Sequence, residues 1–101
     1  MTAYAIAESA VLKPEGVLTY ASLAGPSIAR HSGRFLTQGQ PPTAVPEGTW
    51  PEGHLVTLLE FSDMAQLKEW YASADYREAL AAREGVLEVR LIFVDGKLFG
   101  Q

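Results

Sequence analysis

The 101-residue chain has no cysteine, which removes disulfides, zinc–thiolate sites and thiol nucleophiles together. It has only two histidines, His31 and His54, and neither has a second ligand at metal spacing, so no metal site is expected. H-E-x-x-H, G-x-S-x-G, G-x-G-x-x-G and the phosphate-binding P-loop pattern are all missing, and no cofactor is expected. Positive charge is scarce: eight Lys and Arg stand against twelve Asp and Glu, a net charge of −4. Phosphate-rich partners reward a basic excess, so neither nucleic acid nor an anionic membrane is an expected partner. No apolar run nears the roughly 18 residues of a bilayer span. Residues 1–12 lack a basic stretch and Glu8 interrupts their apolar character, a poor match to a secretory signal. A cytoplasmic location is the default expectation.

What is present suits one folded domain over residues 1–101. Hydrophobic residues make up 48% and charged residues 20% of the chain, a balance that supports one core and argues against disorder. Residues 39–53 hold four of the six prolines and three of the nine glycines, which marks a long loop.

The periodicities around that loop are readable. Residues 3–10 alternate small Ala3, Ala5 and Ala7 with larger Tyr4, Ile6 and Glu8, as a strand does. Pro14 suits the first turn of a helix, and Val17, Tyr20, Ala21, Ala24 and Ile28 follow helical spacing. Gly25-Pro26 is expected to break or kink this helix, and Gly33 to stop it. Residues 34–38 and 54–61 read as strands. Asp63 with Gln66 forms a capping-box pattern opening a helix, Ser73 caps a second piece over 75–84, and Gly85 ends it. Residues 86–94 form the last strand. The order β-α-β-β-α-β predicts an α+β, ferredoxin-like fold, with four antiparallel strands and two broken helices on one face.

Period two separates the faces of that sheet. Leu87, Val89, Leu91, Phe93, Leu55, Leu59 and Phe61 fall on the helix side, with Thr57 a polar exception. The opposite face mixes Ile6, Val56, Leu58, Ile92 and Val94 with Glu8, His54, Glu60, Glu88 and Arg90, and Val86 shares its parity. So apolar a face marks an interface or groove, and a homodimer through the sheet face is the economical expectation.

The chain resembles the DUF1330 family of the dimeric α+β barrel superfamily. The residues that carry the resemblance are Gly33-Arg34-Phe35-Leu36, Glu47-Gly48-Thr49-Trp50-Pro51 and Glu60-Phe61-Ser62. They continue with Trp70-Tyr71-Ala72-Ser73 and Tyr76, Arg83, Arg90-Leu91 and Asp95-Gly96. Two positions depart from the pattern: Ser32-Gly33 replaces the usual Gly-Gly, and Gln38 replaces a frequent basic residue. The resemblance implies the dimer and a cavity that holds a small organic ligand. Superfamily relatives also imply alternatives: a cofactor-independent monooxygenase or isomerase-like enzyme, or a purely structural dimer. Haem-degrading relatives carry an axial His in the second helical segment, and residues 63–84 contain none.

Glu60 is the leading polar candidate, because a carboxylate on an inward face needs a partner. Arg90 or Arg83 would be that partner, Tyr4 a neighbour and His54 a proton carrier. A structural ion pair and a catalytic acid or base both remain open for Glu60. Trp70, Tyr71 and Tyr76 read first as helix packing and second as ligand contacts. Trp50 lies in the proline-rich loop, placed to cover a cavity or dock on a second subunit. His31 suits the negative end of the first helix.

Overall fold

The computed structural model describes residues 1–97. Its elements are β1 (Ala3–Val11), a one-turn 3-10 helix (Pro14–Gly16), α1 (Val17–Ala29), β2 (Arg34–Gln40) and β3 (Leu55–Phe61). They are followed by α2 (Met64–Ala72), α3 (Ala74–Arg83) and β4 (Leu87–Asp95). The sheet order is β2-β3-β1-β4, with every pairing antiparallel. This is the expected ferredoxin-like arrangement. The extents of 41 × 39 × 16 Å are those of a thin two-layer slab, helices on one side and a bare sheet on the other.

The second helical run breaks where its caps say it should. Asp63 Oδ1 accepts from the Gln66 amide at 2.8 Å and opens α2. Ser73 Oγ accepts from the Tyr76 amide at 3.3 Å and opens α3, and each satisfies one orphan donor of a helix start. Gly85, at φ +73°, ends the segment.

The first helix departs from expectation, for it runs unbroken through Pro26. Proline removes one N–H and its ring disfavours a helical residue before it. That preceding residue is Gly25, which has no Cβ to meet the ring. The carbonyl left without its donor belongs to exposed Ser22, where water can replace it. Gly33 does not stop the helix either. Ser32 takes the left-handed conformation at φ 66°, and the Gly33 amide donates back to the Ile28 carbonyl at 3.0 Å. Gly33 is required for space: a Cβ there would lie 2.5 Å from the Phe61 ring and 2.6 Å from Ile28. His31 caps the helix end as expected, with Nδ1 donating to the Ser27 carbonyl at 2.9 Å.

The core lies between the sheet and α1, α2 and α3. Ala3 and Ala5 let the helices approach, and Leu59, Phe61, Leu67, Trp70, Tyr76 and Ala79 fill the space. Trp70 stacks at 4.2 Å from Tyr76 and 5.3 Å from Phe61, and its Nε1–H donates to Ser27 Oγ at 3.0 Å. Val86 is not on the outer sheet face. The strand begins one residue later, and Val86 is buried against Gly16, its carbonyl accepting from Leu12 and Lys13.

Candidate functional site

Small side chains leave room at one end of the core. Ala7 on β1 faces Ala21 and Ala24 on α1, and the space between sheet and helices opens into a cavity of about 360 Å³. Its walls are apolar: Ile28 and Val17 from α1, Leu55 and Leu59 from β3, Val89 and Leu91 from β4. Trp70 and Tyr76 close the inner end, while Val11 and the 82% exposed Leu18 stand at the rim.

The polar groups reaching this cavity are few. The hydroxyls of Tyr20 and Tyr76 lie 3.3 Å apart, and Arg83 Nη1 donates to the Tyr76 oxygen at 3.5 Å. Burial pushes the Tyr76 phenol well above its ordinary range, and the neighbouring Tyr20 adds to the rise, so it stays a neutral hydrogen-bonding group. Thr57, the polar exception on the helix side, accepts from the Gly39 amide at 2.9 Å through Oγ1. That bond ties the irregular end of β2 to β3 beside the cavity. No His, Asp or Glu is among the described residues lining it.

A second cluster occupies the opposite face of the sheet. The Glu8 carboxylate is held from both sides, by Arg90 through one oxygen and by His54 Nδ1 at 2.5 Å through the other. Arg90 and then His54 hold the Glu8 carboxyl below the ordinary carboxylate range. Trp50 Nε1 donates to the His54 carbonyl at 3.0 Å, so the proline-rich loop folds back on its own exit rather than over the helix-side cavity.

Glu60 is not paired with Arg90 or Arg83. Arg34 takes that place, with Nε at 2.8 Å and Nη2 at 2.7 Å from Oε1. Register is the reason: Arg34 stands opposite Glu60 across β2 and β3, whereas Arg90 stands opposite Glu8 across β1 and β4. Arg83 belongs to the other side of the sheet altogether. Tyr4 is the cross-strand neighbour of Glu60 on β1, as parity requires.

Apart from Trp50, which stays with its own loop, the residues singled out from the sequence therefore divide into two sets. Trp70 and Arg83 meet at the helix-side cavity, and Tyr4, Glu60, His54 and Arg90 share the outer face. Sequence reasoning placed Glu8 behind Glu60 and did not single out Tyr20 as a site residue. The available signal for the cavity was polarity at inward parity, at Ser9 and Thr57, both of which line it. Among the described residues no group of three or more potential metal ligands is assembled, and no helix is long and apolar enough to cross a membrane.

The family model described as Domain of unknown function (DUF1330) matches residues 2–97, and the chain belongs to that family. Comparison with curated proteins finds no match. Among solved structures the chain is similar to RPA0582, a protein of unknown function from Rhodopseudomonas palustris. Identity there is 22% and the TM-score 0.69, over 95% of this chain and 83% of that one. It is also similar to SnoaB, a cofactor-independent oxygenase from Streptomyces nogalater, at 9% identity and TM-score 0.65, over 98% and 96%. A dimeric ferredoxin-like protein of unknown function from Thermobifida fusca matches at 15% identity and TM-score 0.62, over 94% and 91%. At these identities the likeness is one of fold.

Proposed function

We propose that this DUF1330 chain is a homodimeric binding protein that takes one small, mostly apolar organic molecule per subunit into the cavity between sheet and helices. The observation that carries this reading is the cavity itself, about 360 Å³ with apolar walls and a small convergent polar group at Tyr20 and Tyr76. That combination matches small-molecule sites, which occupy roughly 300–1,000 Å³ and use a few polar groups for orientation.

Binding without turnover is favoured over oxygenase or isomerase chemistry. Proton abstraction needs a base within hydrogen-bond reach of the substrate. The described lining offers no His, Asp or Glu, and the buried Tyr76 phenol holds its proton. Glu60 and His54 lie on the far side of the sheet, Glu60 paired with Arg34 and His54 hydrogen-bonded to Glu8.

The bare sheet face supports the second copy. Ile92 is 58% exposed, and Leu36 and Val94 are also open to solvent in a single chain. Ile6 lies in register between Leu58 on one side and Ile92 on the other. Burying such side chains is worth roughly 1.5–3 kcal/mol each, set against association costs of about 4–15 kcal/mol. A twofold pairing covers the same patch on both subunits. The similarity to a dimeric ferredoxin-like protein points the same way.

The test is a two-dimensional ¹H–¹⁵N titration with neutral 1-naphthamide, read on the indole resonances of the two tryptophans. Binding in the cavity shifts Trp70 and leaves Trp50 in place. A shift at Trp50 alone, or none at either with this probe or its anionic analogue 1-naphthoate, contradicts the reading.

A further inference from the structure

Among the described residues lining the cavity, Arg83 is the one that carries a charge. Arg30, Arg34 and Arg90 each hold a carboxylate, of Asp75, Glu60 and Glu8. Arg83 takes part in none of the ion pairs among the described residues. Its one described side-chain hydrogen bond is the long one to the Tyr76 oxygen. A half-buried arginine at an apolar cavity, with no counter-ion among the described residues, is the arrangement an anion relieves.

The hydrogen-bond inventory gives the same answer. A guanidinium carries five N–H donors and no acceptor, and one of Arg83's is directed at Tyr76. The Tyr20 and Tyr76 oxygens are 3.3 Å apart, and whichever of the two donates to the other, one phenol proton is left to donate outward. The cluster thus offers an incoming molecule donors from both Arg83 and a phenol. We propose that the cavity's ligand is an organic monoanion, an apolar body carrying a carboxylate that Arg83, with Tyr20 and Tyr76, binds at one end. A planar carboxylate matches the guanidinium fork through two parallel N–H···O bonds.

Arg83 also stands in the last turn of α3, where a cation favours the negative end of the helix. That role alone would make the residue indifferent to the ligand's charge, so charge preference separates the two.

This inference rests on the cavity being a binding site, and the experiment keeps the two apart. Titrations of the full chain with 1-naphthoate and with its neutral isostere 1-naphthamide are followed on the Trp70 indole resonance. A charge-assisted hydrogen bond gives about a tenfold tighter Kd for the anion. Arg83→Gln weakens the anion far more than the neutral probe and so removes the preference, and Arg83→Lys, which keeps the charge, restores a preference for the anion. Equal affinities of the wild-type chain for the two probes overturn the inference while the binding site stands. An undiminished preference in Arg83→Gln overturns it too. If neither probe moves Trp70, the binding site fails and this inference falls with it.

Discussion

Glu8 on β1 stands directly opposite Arg90 on β4, and the two side chains pair across the strands, with His54 holding the second Glu8 oxygen at 2.5 Å. The bare face of the sheet therefore carries its own organised charge cluster, set among Ile6, Leu58 and Ile92. In a dimer formed through this face, the cluster neutralises much of its charge within each subunit and leaves the aliphatic side chains to make the contact.

Because Arg90 and His54 lower the Glu8 carboxyl below its ordinary value of 4.5, the charged form is favoured in the folded chain. Its contribution to stability is complete above about pH 4.5 and is lost as pH falls through the lower folded value. Asp75 behaves alike: Ser73 and then Arg30 lower it from 3.8 to about 2. Equilibrium unfolding between pH 7 and pH 2 should show stability falling on the acid side. Glu8→Gln should be less stable than wild type at pH 7, the difference shrinking toward pH 2. A constant difference across that range would mean that the charge of Glu8 does not matter.

Gly33 is held by space rather than by backbone conformation. Gly33→Ala places a Cβ 2.5 Å from Phe61 and 2.6 Å from Ile28, both in the core. Overpacking of this kind costs about 1–3 kcal/mol. A urea unfolding midpoint equal to wild type would show that Phe61 moves freely.

Pro26 is a stability defect carried by α1. An interior helical proline costs about 3 kcal/mol relative to alanine, and its restriction of the unfolded chain returns up to about 1 kcal/mol. Pro26→Ala should therefore raise the unfolding free energy by about 2 kcal/mol in denaturant titrations. A decrease would mean that the ring makes contacts that outweigh the missing hydrogen bond.

Ile92 tests the dimer without disturbing the core, since it is 58% exposed in the single chain. Light scattering at micromolar concentration should give about twice the 11.0 kDa chain mass for wild type. Ile92→Asp enters a twofold interface twice, so dissociation should strengthen on the order of a hundredfold. Unchanged association in that variant would place any dimer contact elsewhere.

Much of this architecture is legible from local chemistry. Alternation along residues 3–10 and 86–94 separates the two faces, and the Asp63 and Ser73 caps mark where α2 and α3 begin. Local signals also mislead. Gly25-Pro26 reads as a break, yet the missing Cβ at Gly25 is what lets the helix continue. Strand register is not written locally: Glu60 pairs with Arg34, and Arg90 with Glu8, because of how β2 and β4 align with distant partners. The alanines of β1 show the same limit. Ala3 and Ala5 bring the helices close, while Ala7, two residues on, faces other small side chains and leaves a cavity.

The cavity as a ligand site is the central claim, and filling it is the direct test. At about 0.3 kcal/mol per non-hydrogen atom, 1-naphthamide should bind wild type with a Kd on the order of 1 mM. Ala21→Phe adds a ring to the α1 wall. Titrating both proteins on the Trp70 indole resonance, with thermal unfolding to confirm the fold, should give saturable one-to-one binding in wild type. In a folded Ala21→Phe the account predicts at least a tenfold loss of affinity. Equal binding by the two proteins would contradict it.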